Sequence, residues 1–246
     1  MAHTTLIAGD PPGKEAELAA AFLLRTPTLS GSPDVLLVAA FNPELAALRA
    51  HLAGALDGFV GQTRVAARVV GVGLPMAAAG VALQASKLHP RSVVALGTCG
   101  AYPGSGLAIG DVIVARRIHL VDPSALEGRA EFPAPMQVVC DADGTLAESI
   151  VEATGARRAD VGTTVAVTVD DATAVRIARA TGSEVEHLEV HGMAMACAAL
   201  ELPMGAVLAV ANFVGSHGRS EWRSHHNEAA ARAAEVVATW LRSSPG

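Results

Sequence analysis

Aromatic residues are scarce in this chain: phenylalanine, tyrosine and tryptophan together make up 3% of 246 residues. Alanine, valine and leucine must fill the core, and an apolar fraction of 51% is enough for a sizeable one. That composition suits a sheet buried on both faces by alanine-rich helices. Lysine is nearly absent, with only Lys14 and Lys87, so arginine carries nearly all the positive charge. A net charge of −6 without a basic cluster argues against nucleic acid as a partner. Cysteine is limited to Cys99, Cys140 and Cys197, an odd set without paired spacing, which argues against a disulfide framework and a zinc site. Each has apolar neighbours and reads as a small core filler. The N-terminus lacks a basic segment followed by a long apolar run, so no signal peptide is expected. The longest apolar stretches are broken by Glu201, Pro203 or glycine, so no membrane span is expected either. The expectation is a cytoplasmic protein with no membrane partner.

Short apolar runs alternate with helical patterns along the chain. Strands are expected at Thr4–Ala8, Val35–Ala40, Arg64–Val72, Val93–Leu96, Asp111–Ala115, Gly162–Thr168 and Met204–Ala211, with a short extended piece at Val185–Leu188. Helices are expected at Lys14–Leu24, Glu44–Leu56, Pro75–Leu88, Leu146–Thr154, Ala172–Ala180, Gly192–Leu200 and Glu228–Leu241. Asn42 is a good N-cap, and Pro43 fits a first helical turn. Residues 116–142, with prolines at 123, 133 and 135, read as a long excursion of the kind that covers a site. Strand–helix alternation implies an α/β fold: three layers, α/β/α, around a central, mostly parallel mixed sheet. No internal repeat or second boundary is evident. The expected organisation is an N-terminal extension, residues 1–33, followed by one domain over residues 34–246.

Several positions carry chemistry. Gly97-Thr98-Cys99-Gly100 follows a buried run, and two glycines around a hydroxyl let backbone N–H groups approach an anion or a sugar; a plain structural turn is the alternative. Gly71-Val72-Gly73 lacks the third glycine of a dinucleotide fingerprint, because Met76 stands there, and reads as a tight strand-to-helix turn. Glu44 lies in the first turn of a helix, where a carboxylate is favoured even on a plain surface. Glu189 stands among apolar residues and needs partners, and a vicinal diol is one good partner. Asn212 interrupts a buried strand where asparagine is disfavoured, which points to a polar role. His217, His225 and His226 lie in a polar stretch whose spacings match no helical metal pair. His119, His187 and His191 are open candidates for facing a ligand.

Taken in order, these segments resemble the nucleoside phosphorylase and nucleosidase superfamily, on the futalosine hydrolase and methylthioadenosine/adenosylhomocysteine nucleosidase side. The resembling stretches are Asp34–Leu45, Gly71–Ala79, Gly97–Ala101, Gly110–Val114, Leu188-Glu189 and Ala211-Asn212, across residues 34–240. The resemblance implies a nucleoside phosphorylase-like fold and cleavage of the N-glycosidic bond of a purine-type nucleoside. It implies that Glu44 handles the attacking water and that Asn212 hydrogen-bonds the departing base. Thr98, Cys99 and Gly100 would form the ribose and nucleophile loop, and the Leu188-Glu189 pair would grip the ribose hydroxyls through Glu189. By position, Phe213, Thr168 and Asp170 or Asp171 would line the base pocket. No metal or organic cofactor is implied, and a homodimer or higher homo-oligomer is.

The chain departs from the family pattern at several points. Val190 replaces a glycine, Asn212 replaces the commoner aspartate as in the futalosine branch, and Leu208 stands where the hydrolases usually carry arginine, a role Arg219 could take over. Gly13, after Gly9-Asp10-Pro11, and Ala95 stand where the phosphorylases carry phosphate-binding arginines, which suit phosphate because they bind it bidentately. Their loss favours water as the nucleophile. A phosphate-dependent purine or uridine nucleoside phosphorylase using Lys14, and a nucleoside-binding homologue without turnover, remain as alternatives.

Overall fold

All five residues of strand β1 (Val35–Ala39) are buried, as the apolar run after Asp34 demands. A computed structural model of the chain describes residues 31–52 and 56–243. The expected Thr4–Ala8 strand, the Gly9-Asp10-Pro11 turn, the Lys14–Leu24 helix and nearly all of the N-terminal extension lie outside the described residues. After β1 come α1 (Asn42–His51), β2 (Asp57–Val60), β3 (Thr63–Val69), α2 (Leu74–Leu88), β4 (Ser92–Ala101), β5 (Val112–Val121), α3 (Pro123–Leu126) and β6 (Val139–Asp141). They are followed by α4 (Gly144–Thr154), β7 (Arg157–Thr164), α5 (Asp171–Thr181), β8 (Val185–His187), α6 (Val190–Ala199), β9 (Met204–Phe213) and α7 (Gly218–Ser243).

The described strands form one mixed sheet in the order β2-β3-β1-β4-β8-β7-β5-β6, and β9 pairs with both β4 and β5. The β1–β3, β1–β4, β4–β9, β5–β7 and β7–β8 pairings are parallel, and the others are antiparallel. Strands β4, β9, β5, β7 and β8 thereby close a ring, with β4 also carrying β1. Period-two alternation along these strands makes the layers. Val93 and Ala95 of β4 face Val81 of α2 and Met193 of α6. Val94 and Leu96 face the opposite way, toward Leu45 and Leu48 of α1, Ile150 of α4 and Val237 of α7. A smaller cluster packs α5 through Ala174 and Ile177 against Tyr102, Val121 and Val214. This is the expected three-layer α/β/α arrangement.

Several expectations are corrected. Gly97–Gly100 is not a loop after the strand but part of β4, with a register shift between Cys99 and Gly100 against β9. Strand β2 is new; it forms a hairpin with β3 through Gly61, whose φ of +60° suits glycine. The 116–142 excursion is partly regular, because β5 runs on to Val121 and is followed by α3 and β6. Strand β7 ends at Thr164, so Thr168 lies beyond it. Phe41, not Asn42, is the N-cap of α1, with Pro43 in the first turn. Helix α7 starts at Gly218, so Arg219, Glu221, Arg223, His225 and His226 lie within it.

The turn between β3 and α2 brings a backbone donor to the open end of the sheet. Its Gly71 and Gly73 have φ values of +106° and +84°, which other residues rarely adopt. Helix α2 then lies close on β3: a Cβ at Gly80 would overlap the Val70 carbonyl, and one at Gly192 of α6 would press on the Leu74 carbonyl.

Candidate active site

The polar groups gather at the C-terminal ends of β1, β3, β4 and β9, where ligands bind in open α/β sheets. Glu44 is 3% exposed, not a surface residue. Its Oε1 accepts from the Thr98 backbone N–H at 2.9 Å and lies 3.2 Å from the Thr98 hydroxyl. Its Oε2 accepts from the Ala40 N–H at 3.2 Å. Gly97 makes room for this, since a Cβ there would stand 2.8 Å from Glu44 Oε1. Burial, with a contribution from the nearby Glu189 carboxylate, pushes the Glu44 carboxyl up to about 8 against the pull of its three donors.

Glu189, the residue before α6, is also buried and reaches across to α2, where its Oε1 accepts from the Gly73 N–H at 2.8 Å. His187 Nδ1 accepts from the backbone N–H groups of Glu189 and Val190 at 3.1 and 3.2 Å, closing the start of α6. Burial holds the His187 pKa below its ordinary value, so the ring is neutral with its proton on Nε2. The 3.2 Å approach of Nδ1 to Glu189 Oε2 is therefore not an ion pair. His187 is a capping residue. His191 is occupied as well, its Nε2 lying 3.1 Å from the Gln137 carbonyl.

Asn212 pairs in register with Gly100 and is 9% exposed. Its amide nitrogen donates to the Phe213 carbonyl at 2.8 Å and fits between Gly100 and Gly218, where Cβ atoms would stand 2.9 and 3.0 Å from it. One amide proton is used and one remains. Phe213 is partly exposed, and its N–H donates to Glu221 of α7 at 2.8 Å. Leu188 is half-buried. Cys99 is corrected: its side chain points into the α2–α6 core, opposite Thr98, so only its backbone can reach the Thr98 side of the strand. Burial pushes its thiol upward.

Thr168 belongs to a second buried cluster. Its N–H and hydroxyl donate to Glu186 at 3.0 and 2.5 Å, and the Tyr102 hydroxyl donates to the same carboxylate at 2.9 Å. Glu186 pairs in register with Gly100 on the side away from β9. The segment around Thr168 walls a cavity of about 330 Å³, with Val121, Pro123 and Val167 among its lining. Asp170 caps α5 by accepting from the Thr173 N–H at 2.7 Å, and Asp171 accepts from the Ser216 N–H at 2.7 Å. Both carboxylates are thus engaged in structural bonds.

Leu208 is fully buried in the α2–α6 core, as is Ala95 at 1% exposure, and Arg219 is exposed on the first turn of α7. Glu44 is met by the Ala40 and Thr98 N–H groups and the Thr98 hydroxyl, and Glu189 by the Gly73 N–H. No group of three or more histidines, cysteines, aspartates or glutamates among the described residues could hold a metal, and no helix among them is long and apolar enough to cross a membrane.

Residues 32–242 match the family model of the Phosphorylase superfamily. The chain belongs to this superfamily. No curated protein sequence matches it significantly. Among solved structures, S-adenosylhomocysteine nucleosidase from Streptococcus pyogenes superposes with a TM-score of 0.76 at 24% identity, covering 89% of this chain and 100% of that one. A 5'-methylthioadenosine/S-adenosylhomocysteine nucleosidase from S. pneumoniae, solved with a transition-state inhibitor, gives 0.75 at 22% identity over 85% and 98% of the two chains. A futalosine hydrolase mutant from Helicobacter pylori gives 0.76 at 12% identity over 84% and 97%. At these identities the likeness establishes a shared fold.

Three contributors to this superfamily member's site were not foreseen. Gly73 supplies the backbone N–H for Glu189, Ala40 the one for Glu44, and Trp222 of α7 donates its indole N–H to the Thr98 hydroxyl at 3.1 Å. The Gly71–Gly73 turn was the only sequence signal for the first. The other two carry none, because a backbone donor and a contact across 124 residues leave no local pattern.

Proposed function

We propose that the protein hydrolyses the N-glycosidic bond of a purine-type nucleoside, releasing free base and a ribose product. The observation that carries this reading is the pair of buried carboxylates, Glu44 and Glu189, brought together from helix starts on opposite faces of the sheet. Ionised carboxylates offer about four acceptor positions. On Glu44 three are taken, and the open one on Oε2 suits a water molecule. Glu44 would take a proton from that water as it attacks the sugar carbon. Glu189 would accept from the ribose hydroxyls, and the second amide proton of Asn212 would meet the negative charge that grows on the departing base. Thr98 and the Gly100 backbone would border the sugar, with Phe213 against the base. Methylthioadenosine, adenosylhomocysteine and futalosine are the candidate substrates.

Base release from these nucleosides in phosphate-free buffer tests the reading. Release without phosphate is the expected result, and release only with phosphate would replace it with a phosphorylase. The buried Ala95, standing where the resembled phosphorylases carry a phosphate-binding arginine, favours water. Leu208, apolar and buried where the resembled hydrolases carry arginine, favours a second reading, a nucleoside-binding homologue without turnover. Tight nucleoside binding with no release in either buffer would establish it.

A further inference from the structure

The indole of Trp222 takes no part in the glycosidic chemistry, yet it touches the residue that orients the base. Its Nε1–H donates to Thr98 Oγ1 at 3.1 Å, and that oxygen lies 3.2 Å from Glu44 Oε1. An indole N–H only donates, and a threonine hydroxyl has a single proton. Once Thr98 Oγ1 accepts from Trp222, its own proton is directed to the carboxylate. We propose that Trp222 is a positioning residue that sets the Thr98 hydroxyl rotor, so that Thr98 donates to Glu44 and leaves Oε2 turned toward the attacking water.

The indole is held for this role by two neighbouring rings. It stacks on His226 one turn later, with ring centroids 4.4 Å apart and planes 19° apart. His226 Nδ1 lies 3.1 Å from the Trp222 carbonyl, which ties the imidazole to the same turn of α7. Phe41, the N-cap of α1, packs at 6.0 Å on the side of the helix that carries Glu44. The indole thus links α7, the start of α1 and the glycine-rich part of β4. The other tryptophan, Trp240, donates to Ser149 near the far end of α7. The titratable groups around this link are Glu189 from the start of α6, the Cys99 thiol on the opposite face of β4, and His226 on the indole itself.

The inference rests on Glu44 as the base, so the test includes that assignment. Steady-state kinetics are measured against pH for W222F, T98V, the double variant, T98S and E44Q, each checked by its melting temperature. W222F keeps a stacking ring and loses the N–H along with part of the indole's volume, and the T98V background separates the two losses. It is expected to lower kcat roughly tenfold with little change in KM, the scale of one hydrogen bond at a charged group. Its activity–pH midpoint should move upward, because a weakened donor stabilises the charged carboxylate less. T98V should do at least as much, W222F should add nothing in the T98V background, and T98S, which keeps the hydroxyl, should recover most of the rate and the pH midpoint that T98V loses. If W222F does not fold, T98V and T98S read the same link from its other end, and equal pH profiles for those two overturn it. A parental pH profile for W222F beside an inactive E44Q overturns the positioning role alone, as do additive effects of W222F and T98V. Full activity in E44Q overturns the base assignment and the positioning role with it.

Discussion

Two buried glutamates flank the same strand in similar hydrogen-bonded frames, and the proposed chemistry falls on only one of them. Glu44 accepts from Ala40 and twice from Thr98; Glu186 accepts from Tyr102 and twice from Thr168. Burial holds both carboxyls above the ordinary glutamate value. Neutral donors therefore do not separate the carboxylate proposed as the base from the other. What separates them is the neighbour. Glu44 faces a second carboxylate, Glu189, while the largest influences on Glu186 after burial are neutral hydrogen-bond donors that pull it down. Like charges in one buried site are costly to hold together, and a bound ligand with hydroxyl groups relieves that cost.

The sharpest way to break this contrast is to neutralise each carboxylate in turn. E44Q should lower base release by about 10²–10⁴-fold, the usual contribution of a general base, while nucleoside affinity by calorimetry stays within a few-fold. E189Q should act mainly on binding and raise KM by roughly 10–100-fold, as expected for hydrogen bonds to a charged acceptor. A 2'-deoxynucleoside should show a smaller loss with E189Q than the ribonucleoside does. E186Q should cost about 1–3 kcal/mol in denaturant unfolding and leave kcat comparatively untouched. Because the folded protein holds the Glu186 proton more tightly than the unfolded chain does, stability falls as pH rises above the ordinary glutamate range. E186Q should flatten that slope. The smallest effect concerns pH: with Glu44 near 8, activity should fall as pH drops below that value, and E189Q should move the midpoint downward by removing the like charge.

The same contrast marks what could be read in the chain. Strands β1 and β9 were legible because apolar runs begin just after Pro33 and Pro203, and helix α2 because its apolar stretch starts at Pro75 and stops at His89-Pro90. The far half of β4 was not, because Gly97 and Gly100 give the alternation no side chains to show and have turn-like propensity. The start of α7 was missed for the opposite reason: residues 219–228 are polar and lie mostly on the surface, and the buried alanine stripe begins at Ala229. Strand β2 was not legible because it opens on Asp57-Gly58, a turn-favouring pair. At the site, Glu44, Thr98, Glu189 and Asn212 could be named from the resemblance and the oddity of polar residues among apolar ones. Glu186 could not, since its meaning comes from Tyr102, 84 residues away.

Gly80 and Gly192 carry no functional group, yet between them they act as a spacer gauge for the proposed ribose side of the site. One sets how near α2 rests on Val70, and the other how near α6 rests on the first residue of α2. Both settings bear on how near the Gly73 N–H, at the start of α2, comes to Glu189, at the start of α6. An alanine at either glycine would thicken the spacing by a methyl group and open that grip from a place no nucleoside touches. In this architecture the tuning of the proposed sugar grip is mechanical, and the residues that govern it are the smallest ones.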